Sequence, residues 1–570
     1  MKYISEHSLR SLYLLIVVML AGCDYLNEEP LHYLQPGERF KEESQMELAV
    51  HECYYYLPNG YNDVDGSFLD AATNDAVYRI EGSGINKLAR GEYTSSTPVL
   101  NIWDRCYKGI SQTFLVEDNL HYMNIPKGSS VSDPDVYFET KRKEFGSEAM
   151  MVRAYLYFEL LRMYGGVPLV KRQMELGENI KDVQRASFAD VVTYIVGLCD
   201  KAAEDQPSII NTTPGRWGKG AAKAIKAKTL AYAASDLYHK DVKSPLHGYI
   251  QNNQDAARLA AVEAMDDFMK YTEFGLANNY NMFFWEPNNG QFKKEYVVYK
   301  GKPQSNGVES LLFIPSLGGN GGIYPTQEFV DAFDNADGSK YVASANLDET
   351  QWANRDPRLN NIIIYNGSKV RTNNTIYTYT GTEQTQDGFV VVHQKSTRTG
   401  YYLKKFANYG AVNFDNAVPG VTHHIYPIIR YADILLLYAE MMSELYGPDD
   451  ARQFSMTAKK ALDDVRMRGG IKTALPSNIL QDDFRQRVIN ERRIELCFED
   501  QRYFDLKRWK LGVNILNSPV HGMKIVREGG NYSYQKVVVD EKRKFTQPMY
   551  FAPIPYDEQL KLDIEQNPGW

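Results

Sequence analysis

Residues 147–168 read SEAMMVRAYLYFELLRMYGGVP. Val152, Leu156, Leu160 and Met163 recur at the three- and four-residue spacing that collects them on one helical face. The run ends at Gly165 and Gly166 with Pro168 beyond, which is the chemistry that stops a helix. Further out, GKGAAKAIKAKTLAYAASDLYH (218–239) and DAARLAAVEAMDDFMKY (255–271) are studded with alanine, which lets neighbouring helices approach closely. RYADILLLYAEMMSELYG (430–447) is apolar almost all round, as expected of a helix buried on several sides. TAKKALDDVRMRGGI (457–471) and a last long helix over 485–510 follow. Successive helices of this kind, joined by short loops, predict a mainly α fold. The expected architecture is a tetratricopeptide-like helical-repeat scaffold whose repeats are degenerate, because no strict consensus recurs. Between about 275 and 425 the texture changes to Gly, Asn, Thr and Tyr with short alternating runs such as FVVVHQ (389–394). That stretch reads as loop-rich, short-strand insertions in the helical frame.

Composition bounds the rest. With 43% hydrophobic and 24% charged residues, the chain is neither disordered nor a membrane bundle. Its net charge of −8 argues against nucleic acid as a partner. A chain of 570 residues is too long for one simple core, so two intimately packed halves are expected. Tyrosine is abundant, 41 against 24 phenylalanines. It combines a flat apolar face with a hydroxyl, which suits polar ligands that also have apolar faces.

The N-terminus has its own logic. Lys2 and Arg10 precede an unbroken apolar run, Leu12 to Ala21, too short to span a membrane. A charged start, a short apolar centre and small residues before a cut site describe a secretory signal peptide over residues 1–22. Ala21-Gly22-Cys23 resembles a bacterial lipobox, whose cysteine becomes the acylated N-terminus. Two or more acyl chains on Cys23 anchor a protein to a membrane without spanning it. The acidic residues Asp24, Glu28 and Glu29 resemble a surface-export signal. The other cysteines, Cys53, Cys106, Cys199 and Cys497, lack metal-ligand spacing and read as buried thiols, with a Cys53–Cys106 bridge left open.

Five further stretches occur in order: GGNGGIYPTQEFVDAFDNADG (318–338), RDPRL (355–359), IRYADILLLYAE (429–440), VINERRIELCFEDQRYFDLKRWK (488–510) and PIPYDEQLKLDIEQNPGW (553–570). Together with the lipobox they resemble the SusD/RagB family of Bacteroidetes outer-membrane lipoproteins. The resemblance implies the family's α-α superhelix, divided here into 23–275 and 276–570. The second part would hold the loop-rich insertion (about 276–425) and the closing helices. It also implies a lipid-anchored, surface-exposed outer-membrane protein that binds glycans, or in some branches peptides, without catalysis. Its partner would be a SusC-like TonB-dependent transporter.

The residues of the shared motifs read as structural. Glu491, Glu495 and Glu499 recur every four residues, and like charges at that spacing repel on a bare helix. Arginines such as Arg430, Arg466 or Arg502 are therefore expected against them. Trp570 is expected to pin the tail in a groove, and Trp103 to pack with Tyr107 and Ile110. Ligand contacts are expected from loops, where an aromatic ring covers the C–H face of a sugar and polar groups bond its rim. TNDAVYR (73–79) offers Asn74, Asp75, Tyr78 and Arg79 after the glycine-flanked YNDVDGSF. NNYNMFFWEPNNG (278–290) offers Tyr280, Phe283, Phe284 and Trp285, either as a ligand surface or as a small core under a loop.

Enzyme signatures are missing: there is no G-x-S-x-G elbow, no H-E-x-x-H pair and no phosphate-binding loop. A glycoside hydrolase needs only two placed carboxylates, so a lipid-anchored hydrolase stays as the enzymatic alternative. No cofactor is expected. NDVDG (62–66) and DNADG (334–338) echo parts of a calcium loop but lack its closing glutamate, and read as turns with weak calcium binding left open.

Overall fold

The computed structural model describes residues 36–570 except 62–63, 125–131, 175–176, 212, 214, 252, 281–293, 372–373, 383–384 and 390–394. The signal peptide, Cys23 and most of FVVVHQ lie outside the described residues. Six long helices fill the first half: α1 (Glu43–Tyr55), α2 (Trp103–Asn119), α3 (Pro134–Tyr164), α4 (Phe188–Asp205), α5 (Lys219–Ala233) and α6 (Gln254–Met269). Each packs on the next in chain order, which is the arrangement expected of a helical-repeat scaffold. Helix α7 (Tyr431–Tyr446) returns to lie on α5 and α6, and carries α8 (Ala458–Arg468) and α9 (Gln481–Glu495) on its other sides. The helical frame therefore continues across the long 276–425 interruption, and one continuous apolar core runs from Phe40 to Ile564.

The deciding stretch forms the second part of α3. That helix starts earlier than its apolar period, because the Asp133 side chain accepts from Val136 N and Pro134 occupies the first turn. Its solvent-facing start gives way at Phe145 to a segment buried to Tyr164. It stops where expected, at Gly165 with φ 79°. Helix α5 ends sooner than its sequence period, at Ala233, and Asp236–Tyr238 turns as a short 3-10 helix. The link from there to α6 is accordingly longer than the short loop expected. The run 485–510 breaks in two: α9 ends at Glu495, and α10 (Arg502–Arg508) follows a turn in which Phe498 and Asp500 adopt φ 58° and 57°. Glu499 is thus off the helix.

Strands are short. β1 (Ala76–Tyr78) pairs antiparallel with β3 (Ile323–Pro325), and β2 (Tyr296–Gly301) with β4 (Ile425–Arg430). The longest pair, β5 (Val520–Glu528) with β6 (Asn531–Asp540), falls beyond the region read as strand-bearing. Gly529 and Gly530 make its two-residue turn with φ 55° and 82°, a conformation that glycine adopts without strain. Trp103 is buried against Tyr107 and Tyr164, as expected. The tail is pinned: Trp570 Nε1 donates to Phe551 O at 2.9 Å and its ring lies on Tyr93.

Candidate functional site

Two faces of α9 carry buried charge. On one, Arg358 bonds Glu491 at 2.5 Å and Glu495 at 3.1 Å, and Arg430 bonds Glu495, Glu499 and Glu295 at 2.7–2.8 Å. Arg468 adds a further bond to Glu495, and Lys405 one to Glu499 at 2.7 Å. Burial alone raises a carboxyl, yet Arg468, Arg430 and Arg358 outweigh it and hold Glu495 down at about 2. Of the expected arginines only Arg430 joins this set. Arg466 pairs with Asp463 in its own helix, and Arg502 faces Asp75, because each points away from the glutamate side. On the other face, Arg492 bridges Asp433 and Asp505, and Arg508 continues to Glu440. Glu491, Glu495 and Glu499 are all answered by fixed cations, which leaves no unengaged carboxylate there for acid–base chemistry.

Tyr280 borders the first network and opens onto a cavity. Its hydroxyl donates to Glu495 O at 3.3 Å, and the cations of Arg358, Arg468 and Lys405 approach its ring to 5.6–5.9 Å. On its other side lies a cavity of about 220 Å³ lined by Tyr280, Asn361, Lys404, Phe406, Asn408 and Tyr409, among others. Asn408 fixes the local loop, its Oδ1 accepting from Gly410 N and Ala411 N. The Tyr409 ring stacks on Phe313 at 4.1 Å, and its buried hydroxyl has no hydrogen-bond partner. Burial lowers the Lys404 amine, whose Nζ donates to Asn360 O at 3.0 Å. The space is below the ~300–1,000 Å³ that encloses drug-sized ligands. It suits one sugar residue or a chain end, with amide and ammonium groups around an aromatic wall. The predicted neighbours Phe283, Phe284 and Trp285 lie outside the described residues.

The other predicted cluster is mostly taken up by internal structure. The Asp75 carboxylate is fully buried and bonded by Arg493 Nε at 2.7 Å. Tyr78 is 4% exposed within β1. Three buried polar atoms there lack hydrogen-bond partners, Asn74 Oδ1, Asp75 Oδ2 and Arg79 Nε. Glu81 beside them pairs with Arg90 and Arg398, and these arginines lower its carboxyl. Both predicted clusters dock on the same helix, Asp75 at Arg493 and Tyr280 at Glu495. Asn361, Lys404, Asn408 and Tyr409 escaped the sequence reading. The stretch KKFANYG (404–410) carries the same mix of amide, aromatic and glycine that singled out Tyr280.

Other expectations on reactive groups meet simple structures. Cys53, Cys106, Cys199 and Cys497 are buried and unbridged, and burial pushes the Cys106 and Cys497 thiols up to about 12. DNADG is a turn in which Asp337 Oδ1 accepts from Ser339 N and Oγ. Among the described residues, no group of three His, Cys, Asp or Glu could hold a metal, and no helix is long and apolar enough to cross a membrane.

Two family models match the chain. That of the SusD family covers residues 285–570, and one described as "Starch-binding associating with outer membrane" covers 24–230. A curated relative, SusD-like protein P2 of Formosa agariphila, is 23% identical over 515 residues, covering 88% of this chain and 90% of its own. Among solved structures, a SusD-like protein from Bacteroides fragilis is similar at TM-score 0.75 and 22% identity, over 93% of this chain and 98% of its own. A SusD-like carbohydrate binding protein of the same species reaches TM-score 0.71 and 23% identity, over 92% and 98%. A structure titled "Laminarin binding SusD-like protein" reaches TM-score 0.59 and 19% identity, over 93% and 100%. These likenesses show the helical fold.

Proposed function

The chain belongs to the SusD family, and from that premise we propose that it is a non-catalytic lipoprotein that captures glycans at the cell surface. It then delivers them to a SusC-like TonB-dependent transporter in the outer membrane. The observation that carries the reading is the match of residues 24–230 to the starch-binding, outer-membrane model. The cavity beside Tyr280 supports it with the right chemistry: amide and ammonium groups around aromatic walls, with no pair of carboxylates among its lining residues. The neighbour named for laminarin binding makes β-glucans a sensible first ligand beside starch. Asn74 and Arg79, both half-buried, are a second set of contacts.

Affinity electrophoresis of the purified protein against starch, laminarin and other polysaccharides tests this. Retardation without release of reducing ends is expected. Release of reducing sugar overturns the non-catalytic role, and binding to peptides alone overturns the ligand class. The anchor is tested separately: mass spectrometry should find an acylated Cys23 as the first residue of the mature chain. Protease shaving of intact cells should remove the body of the protein. Co-purification with a transporter from solubilised outer membranes is the expected outcome for the partner.

A further inference from the structure

A separate cavity of about 460 Å³ opens where the C-terminal tail crosses the link from α5 to α6, and it shares no lining residue with the one beside Tyr280. Its volume falls within the ~300–1,000 Å³ of sites that enclose small molecules. Leu237, Tyr550 and Phe551 give it an apolar, aromatic floor. Three lysines, Lys240, Lys243 and Lys510, stand around that floor with a single carboxylate, Asp241. In a chain of net charge −8, three lysines against one aspartate leave this lining positive. Burial lowers the His247 imidazole, so its ring adds a neutral wall.

Neighbouring ion pairs do not cancel the excess. Lys240 reaches Asp236 at 2.9 Å, but Asp236 also takes Arg485 at 3.0 Å. Glu444, the other partner of Arg485, takes Arg258 as well. Two carboxylates thus meet two arginines before Lys240 is counted. Lys510 bonds Asp241 at 2.7 Å, and Lys243 acts on the same carboxylate only at a distance.

The backbone singles out one of these lysines. Helix α10 closes with Lys510 N donating to Lys507 O and Leu511 N to Leu506 O, the bonding pattern of a Schellman turn. Lys510 takes the left-handed position of that turn, φ 58°, where glycine is favoured. Helices α3 and α7, by contrast, end on glycines, Gly165 and Gly447. Lysine here costs backbone strain and gains a side chain on the cavity, held by Asp241 Oδ2 and by Lys240 O at 3.1 Å. Asp241 is itself left-handed, φ 61°. Strained residues of this kind collect where ligands are held.

The type of cation selects the ligand. A planar carboxylate is matched by the fork of arginine, and no arginine lines this cavity. Lysine ammonium groups act instead as point charges toward a compact anion with several oxygens. We propose that the cavity binds a phosphomonoester whose apolar or aromatic body rests on Tyr550 and Phe551. The phosphate is carried by a soluble molecule or by a lipid headgroup, and the excess of lysine suits its dianion.

Calorimetry with phenyl phosphate tests the site. Binding is expected, about ten-fold tighter than that of inorganic phosphate, which lacks the ring, and tighter than that of benzoate. Lys243→Met, at an exposed position, should lose about ten-fold. Lys510→Gly should lose as much while melting at or above the parent temperature, because glycine suits that turn. Sedimentation with phosphatidylcholine vesicles containing phosphatidic acid separates the two sources. Co-sedimentation that Lys510→Gly abolishes assigns a lipid headgroup, and phenyl phosphate binding without co-sedimentation assigns a soluble ligand. Benzoate bound as tightly as phenyl phosphate overturns the proposal. So do variants that both bind phenyl phosphate like the parent, or a parent that does not bind it.

Discussion

Beneath α9 and along the hairpin the protein uses the same side chains, arginine and tyrosine, to opposite ends. Around Glu491, Glu495 and Glu499 four cations converge on buried carboxylates. A buried charge without its partner is costly, so these residues constrain one another and leave little freedom for change. On the hairpin, Arg527 lies over rings that are half open to solvent, where a change of side chain leaves no charge stranded. The cavity borders the buried network, since Tyr280 and Lys405, which line it, both belong to that network's edge. The motifs that make the family recognisable therefore hold the scaffold.

The contrast breaks most visibly if the buried side is disturbed. Arg430→Met leaves Glu295, Glu495 and Glu499 short of a shared cation and should cost about 3–5 kcal/mol, read as a large fall in the urea midpoint. An unchanged midpoint would mean that the remaining cations suffice, and the distinction between the two regions would collapse.

Lys507 tests the buried side from the other direction, because its Nζ is buried with no hydrogen-bond partner. Burial, with Arg162 nearby, lowers its amine to about 7. An unfolded lysine titrates near ~10.4, so between these values the unfolded chain holds the extra proton and parent stability rises with pH. Below about 7 the penalty is present in full. Lys507→Met should therefore stabilise by about 3 kcal/mol or more at low pH and remove this part of the slope between neutral and pH 10. An equal slope in both proteins would show that Lys507 reaches water.

Two smaller changes sharpen the picture. Trp570→Ala frees the tail and should cost about 2 kcal/mol, less than a fully buried tryptophan, seen as a lower melting temperature. Tyr409→Phe removes a buried hydroxyl without a partner. It should raise stability by about 1 kcal/mol, read as a higher melting temperature, and leave glycan binding unchanged. A variant that binds more weakly than the parent would show that this hydroxyl touches ligand.

The sequence discloses the scaffold better than the site, for a physical reason. The helix through Leu156 and Leu160 repeats its apolar spacing over several turns, and its stop at Gly165 is chemically explicit. The acidic run carries the same period past Glu495, but period alone cannot show where backbone turns. The left-handed Phe498 and Asp500 end the helix although neither is glycine. Arg430, Arg466 and Arg502 look alike on paper, and only three-dimensional direction separates the one that meets the glutamates. The same holds for the site. Asp75 and Tyr78 have the composition of ligand contacts but are buried in the frame, whereas Asn408 and Tyr409 acquire their cavity from chain crossings far apart in sequence. The hairpin was within reach, since alternation around a Gly-Gly pair is a local signal.

Asn567 carries a consequence for how the molecule is made. Its side chain donates to Tyr164 O and Ala552 O, and accepts from Arg185 and His247. The end of α3, the loop before α4 and the link from α5 to α6 are therefore latched by a residue translated some three to four hundred positions later. During synthesis the N-terminal helices must wait, unlatched, until almost the whole chain has emerged. Chains interrupted before residue 567 should remain open to protease.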